Sequence, residues 1–160
     1  MKTLIVYASK YGCTADCADC LKGKLSGDVM LTDIGKSSKD LRLDEYDSII
    51  IGGSIYAGRV SNKLRMFCKE NLDALNKKKL GMFLCCASID QADEFFSSNF
   101  PPELLSTVKV KKAFGGEIRL DVMRFFDKMI VKAIKKATKG DFGNFMVLSE
   151  QIEEFAKEMA

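Results

Sequence analysis

The 160-residue sequence contains no histidine. That absence removes imidazole-bearing zinc sites and every Ser–His or Cys–His nucleophilic arrangement. Any chemistry must come from carboxylates, lysines, thiols, tyrosines or a cofactor. Proline occurs twice, side by side at Pro101–Pro102, where it ends a helical pattern. No apolar run approaches the length needed to span a bilayer. The opening MKTLIVYAS is too short for the core of a signal peptide and reads as a first strand, so a cytoplasmic protein is expected. Six cysteines fall below the density of a disulfide scaffold, and a reducing compartment would keep them as thiols. Net charge is only +3, a mild excess that gives no reason to expect a nucleic-acid partner. With 47% hydrophobic and 29% charged residues, residues 1–160 are expected to fold as one domain.

What is present is an alternation of strand and helix patterns. Thr3–Ala8, Asp28–Ile34, Asp47–Ser54, Leu80–Ala87 and Val108–Leu120 read as strands, several of them apolar throughout, as expected for burial on both faces. Helices are expected over Cys13–Leu25, Ser61–Leu75 (capped by Ser61), Asp90–Phe100, Asp121–Lys139 and Ser149–Met159, with a turn at Glu103–Ser106. This order predicts an α/β fold: a five-stranded, doubly wound parallel sheet with helices on both faces. Ligands in such sheets bind at the carboxyl ends of the strands, where strand order reverses. Three segments end there: Ser9–Thr14, Ser54–Gly58 and Cys86–Ser88.

The first of these, SKYGCT, lies between a strand and a helix. Backbone N–H groups and the positive end of a helix dipole there suit an anion, with Ser9 and Thr14 adding hydroxyls and Gly12 allowing close approach. No Walker-type or dinucleotide fingerprint is present, which argues against nucleoside triphosphates and dinucleotides. The same stretch carries Cys13, Cys17 and Cys20, spaced as in the iron–sulfur site of radical SAM enzymes. Here, however, they fall along one side of a helix, and Cys17 reads as a small core residue. A phosphate site is therefore expected, with neither a metal nor an iron–sulfur cluster. The adjacent pair Cys85–Cys86 points to opposite faces of a strand, so buried thiols are expected rather than a disulfide.

SKYGCT is similar to the phosphate loop of flavodoxins, IGGSIYAG (Ile51–Gly58) resembles their second flavin-contacting loop, and CCAS (Cys85–Ser88) falls at the third. Within that family, YDSIIIGGSIYAGR and GGEIRLDVMRFFDKMIVKAIKK look most like the flavodoxin-like menaquinone-dependent protoporphyrinogen oxidases. The resemblance implies sheet order 2-1-3-4-5 and non-covalent FMN. It implies cofactor contacts from Ser9, Lys10, Tyr11, Gly12, Cys13 and Thr14; from Ser54, Ile55, Tyr56, Ala57 and Gly58; and from Cys86, Ala87 and Ser88, with Tyr56 beside the flavin ring. Tyr11 departs from the family's hydroxyl pattern. The implied activity is oxidation of a porphyrinogen-like substrate with a quinone as acceptor, and no catalytic acid or base can be picked. The alternative is a non-enzymatic electron carrier of the ordinary flavodoxin type. Such carriers are usually strongly acidic, whereas this chain is mildly basic. A third reading, a domain that has lost its cofactor, conflicts with the intact hydroxyl and glycine set.

The Asp121–Lys139 pattern supports two readings. Val122, Phe125, Phe126, Met129, Ile130, Ala133, Ile134 and Ala137 share one face, with Arg124, Lys128, Lys132, Lys135, Lys136 and Lys139 elsewhere. A crossover helix would bury that face on the sheet and solvate its lysines. A basic amphipathic surface would meet an anionic membrane or an anionic, apolar partner such as a porphyrin-like substrate, and the two readings can hold together. Arg59, just past the second loop, reads equally as a surface charge or as an anion contact.

Overall fold

The structure is a computed structural model that describes residues 1–37, 40–116, 119, 121–137 and 146–160, the side chains of Ile134 and Lys135 aside. Five parallel strands, β1 (Lys2–Ala8), β2 (Asp28–Asp33), β3 (Ser48–Ser54), β4 (Lys79–Cys85) and β5 (Val108–Ala113), form one sheet in the order β2-β1-β3-β4-β5. The order reverses between β1 and β3, so their carboxyl ends open the crevice where such folds hold ligands.

The uniformly apolar strands resolve into two alternating sets. Leu4, Val6, Ile49, Ile51, Met82 and Leu84 face one core with Leu64, Cys68, Leu75, Phe96 and Phe100. Those partners come from α2 (Asn62–Glu70), α3 (Leu72–Leu75) and α4 (Ala92–Asn99) with Phe100 just past its end; α5 (Pro102–Leu105) adds Leu104. Ile5, Ile50 and Phe83 face the opposite core, covered by α1 (Cys13–Lys24) and α7 (Ser149–Met159). There Phe83 stacks on Phe114 at 4.6 Å between centroids, and Phe155 meets Phe114 edge-on at 5.4 Å.

Most departures from the sequence expectation concern boundaries. The long helix over 61–75 breaks at Asn71, whose side-chain amide donates to the Phe67 carbonyl (2.9 Å). Ser61 stands at the N-cap position but makes no side-chain capping bond. The 90–100 helix begins as a 3₁₀ turn at Ile89–Gln91.

The larger correction is at the fifth strand, expected to reach Leu120. It stops at Ala113: Phe114 N–H still donates to Leu84 O of β4 (2.8 Å), but Gly115 then takes φ 73°, a conformation that favours glycine, and turns the chain away. The chain leaves the sheet there and returns at Val147, which bridges Gly115, while Leu148 N–H donates to Phe114 O (2.8 Å). The helix α6 (Phe125–Ala137) lies on this excursion. The last residues of the expected 121–139 pattern, 138 and 139, lie outside the described residues. Among the described elements, α7 covers the face of the sheet that a crossover helix would occupy. The reading in which α6 buries its apolar face on the sheet is therefore wrong. Val122, Phe125, Phe126, Met129 and Ile130 are all exposed, Phe125 at 72% and Phe126 at 77%.

Candidate functional site

The three predicted segments meet at the carboxyl edge of the sheet. In Ser9–Thr14, Gly12 has φ 96° and precedes α1. Ser9 Oγ accepts hydrogen bonds from Gly12 N–H (3.1 Å) and Ala15 N–H (3.3 Å), which bends the loop around its own hydroxyl. The Ser9 hydroxyl proton is still available to an anion. Thr14 is 1% exposed, and its Oγ1 has no hydrogen-bond partner. A buried, unsatisfied hydroxyl costs about 1–3 kcal/mol. At the first turn of a helix behind a serine- and glycine-bearing loop, an anionic oxygen removes that cost. The donor set fits the phosphate of a flavin mononucleotide.

The second segment is a tight reverse turn. Tyr56 N–H donates to Arg59 O (2.9 Å) and Arg59 N–H to Tyr56 O (3.0 Å), with Ala57 at φ 49° and Gly58 at φ 76°. Two consecutive positive φ values are the signature of a type I′ hairpin turn. Ala57 carries a Cβ in that conformation, a local strain that the surrounding bonds must hold. Ile55 N–H donates to Cys85 O (2.9 Å), tying the turn to β4. Asn99 anchors its far side: its Oδ1 accepts from Val60 N–H, and its Nδ2 donates to Gly58 O, each at 3.0 Å. The Tyr56 hydroxyl is also buried without a partner. Arg59 is exposed.

In the third segment Cys86 is buried, Ala87 half-buried and Ser88 exposed. Cys86 N–H donates to Gly115 O (2.9 Å), and its thiol lies 3.7 Å from Ser88 O. Burial, with a smaller contribution from Asp90, pushes the Cys86 thiol up to about 11, so it stays protonated at neutral pH.

Contacts from the excursion complete the site, and sequence reasoning missed them. Lys10 Nζ lies 2.7 Å from an Asp127 carboxylate oxygen and 4.3 Å from the Tyr56 ring centroid. Tyr11 donates its hydroxyl proton to Asp127 and accepts from Arg124 N–H (3.3 Å). Arg119 donates to Asp16 (2.6 Å) and to Tyr11 O (3.4 Å). Tyr11, the residue that departs from the flavodoxin pattern, thus attaches α6 to the Ser9–Thr14 loop. The one available signal was Asp127, an acid in the first turn of an otherwise basic helix.

The cysteines assemble differently from their spacing. Cys20 is exposed, while Cys13 and Cys17 meet Cys85 of β4. The set Cys13, Cys17 and Cys20 is not brought together, because the third lies on the outward side of α1.

The flavodoxin domain model matches residues 4–143. Protoporphyrinogen IX dehydrogenase (quinone) of Escherichia coli strain K12 is 22% identical over 178 aligned residues, covering 100% of this chain and 95% of that one. A WrbA-like flavodoxin from Agrobacterium tumefaciens superposes with a TM-score of 0.59 at 19% identity, covering 99% of this chain and 94% of that one. A Fusobacterium nucleatum flavodoxin mutant bound to flavin mononucleotide gives a TM-score of 0.53 at 16% identity, covering 99% and 95%. These structural likenesses show the fold. With the sheet order, the three loops at its reversal point and a family match over most of its length, the chain belongs to the flavodoxin family.

Proposed function

We propose that the protein is an FMN-dependent oxidoreductase that oxidises a porphyrinogen-like substrate and passes the electrons to a quinone, working at an anionic membrane surface. The observation that carries the cofactor is the buried, partnerless Thr14 hydroxyl at the turn into α1. When bound, FMN supplies a ring able to accept two electrons. The chain's own residues do the holding. Ser9 shapes the loop, Thr14 and the first N–H groups of α1 donate to the phosphate, and Tyr56 offers an aromatic face from its rigid turn. Cys86, Ala87 and Ser88 supply the third wall.

The substrate and acceptor rest on the relative's name and on α6. Porphyrinogens bear carboxylates on a large apolar ring, and the quinones of electron transport reside in lipid. A helix that exposes Phe125, Phe126, Met129 and Ile130 beside Lys132 and Lys136, and is attached to the phosphate loop through Asp127, suits both. The attachment also favours this reading over a diffusible electron carrier, which has no need of an apolar cationic helix beside its cofactor.

Thr14→Val tests the cofactor assignment, because it removes the hydroxyl while keeping the shape. FMN affinity should fall by about 1.5–3 kcal/mol, roughly tenfold or more in Kd, as expected for one hydrogen bond to a charged group. The thermal stability of the FMN-free protein should stay level or rise, since an unsatisfied buried group is lost. Equal FMN affinity in the two proteins would refute the phosphate placement.

A further inference from the structure

Two thiols from one turn of α1 and a third from a distant strand meet in the core beneath the Ser9–Thr14 loop. Cys13 opens α1, Cys17 lies one turn later, and Cys85 ends β4. They are 8%, 1% and 3% exposed, and their sulfurs all lie within 4.8 Å of one another. We propose that Cys13, Cys17 and Cys85 form a three-sulfur site for a single soft, thiophilic ion, Cu(I) being the one the geometry favours.

The donor set selects the class. Sulfur ligands exclude the hard cations, which take oxygen. Zinc in a closed site takes four ligands, and no fourth cysteine or carboxylate joins the three among the described residues. Cu(I) is content with thiolates alone. A planar three-sulfur arrangement with metal–sulfur bonds of about 2.3 Å places the sulfurs ~4 Å apart, so small side-chain rotations from the present spacing suffice. The elements that carry the ligands are rigid: one turn of helix and the end of a central strand.

Charge is the main cost. The three thiols hydrogen-bond to one another. The bond with Cys13, then burial, pushes Cys17 up to about 12, and the bonds with Cys13 and Cys17 ahead of burial hold Cys85 well above its usual range. Binding Cu(I) must therefore release up to three protons and leave a net negative group. Cys13 sits at the first residue of α1, where the helix dipole offsets negative charge. A trivalent metalloid offers a contrast: arsenous acid, As(OH)₃, condenses with three thiols to give three As–S bonds and three waters, with no net charge and no redox change.

The test uses the full-length reduced protein under anaerobic conditions. Cu(I) held by a competing chelator is titrated in and followed by thiolate-to-copper absorption in the ultraviolet, with arsenite as a parallel arm. The expected result is one Cu(I) per chain bound by three sulfurs, as read by X-ray absorption, with protection of Cys13, Cys17 and Cys85 but not Cys20 from alkylation. Cys85→Ser should abolish the absorption band, and Cys20→Ser should retain it. The alkylation map of the unmutated protein keeps the proposal testable if Cys85→Ser folds poorly. Tighter binding of arsenite than of Cu(I) would keep the three-sulfur site and overturn the copper preference. A band lost in Cys20→Ser, an ion held by four ligands, or no protection of Cys85 by either probe would overturn the site.

Discussion

Two helices of this protein have the same amphipathic design and opposite fates. In α7, Ile152, Phe155, Ala156 and Met159 are buried against the sheet. In α6, Phe125, Phe126, Met129 and Ile130 occupy the equivalent stripe and stand exposed. Their polar faces differ as well. Glu153 pairs with Lys24 (3.0 Å), and Glu154 and Glu158 pair with Lys112 (2.9 and 3.0 Å), so α7 neutralises much of its charge within the fold. Lys128, Lys132 and Lys136 of α6 form no ion pair among the described residues. An apolar stripe states that a face must be covered and leaves open what covers it. The fold covers α7. Among the described residues the stripe of α6 stays exposed, and under the proposed function an anionic membrane surface covers it.

The largest expected contrast is in stability. Phe155→Ala removes a ring packed against Phe83 and Phe114 and should cost about 3–5 kcal/mol. Phe125→Ala should stay within about 0.5 kcal/mol, as for an exposed site. Matched urea denaturation of the two variants checks this, and equal losses would erase the distinction between the helices.

Next comes membrane association. Reversing Lys128, Lys132 and Lys136 to glutamate should remove binding to anionic liposomes, since each lysine near such a surface contributes about 1 kcal/mol. Binding by the unmutated protein should also weaken as salt rises. Co-sedimentation with anionic and neutral vesicles measures both effects, while FMN content should be unchanged.

A smaller effect is expected at the attachment. Asp127→Asn removes the carboxylate that holds Lys10 and Tyr11, so limited proteolysis within α6 should accelerate while the main unfolding transition hardly moves. The same protease pattern in both proteins would show that α6 is held by other contacts.

The smallest effect belongs to the surface pairs of α7. The hydrogen bond from Lys24 holds the Glu153 carboxyl below the usual carboxylate range. The pair therefore stabilises the fold above the unfolded-state pKa, and its contribution disappears as pH falls through the folded one. Solvent screens so exposed a pair, so Glu153→Gln should differ only slightly from the parent at neutral pH and not at all in acid.

The legible parts of this molecule were those that depend on local pattern. Strand cores such as Ile49–Ile51, the turn into α1 and the break after Gly58 all follow from residues next to one another. So did the doubly wound parallel sheet, because alternating strands and helices leave few topologies, whereas its strand order was implied by the resemblance to flavodoxins. Contacts between distant segments were hidden. Nothing in Cys13 and Cys17 announces that β4 will deliver Cys85 to them, and Asn99 gives no sign that it will clamp Gly58. The end of β5 was misread because Phe114 still joins the sheet edge while Gly115 turns away, a change of direction that an apolar run conceals. Tyr11 was recognised as a departure from the flavodoxin pattern, but its role depends on Asp127, which reaches it only through the excursion.

The central claim is that the crevice beside α6 takes electrons from a porphyrinogen and delivers them to a quinone. Anaerobic mixing of the FMN-loaded protein with protoporphyrinogen, followed by a menaquinone analogue, tests it directly through the visible flavin spectrum. Bleaching of the flavin band by the porphyrinogen and its recovery on quinone addition, with anionic liposomes present and accelerating the cycle, is the predicted result. A flavin band that stays unchanged with porphyrinogen while a protein electron donor reduces it readily would contradict the claim and make the protein an electron carrier.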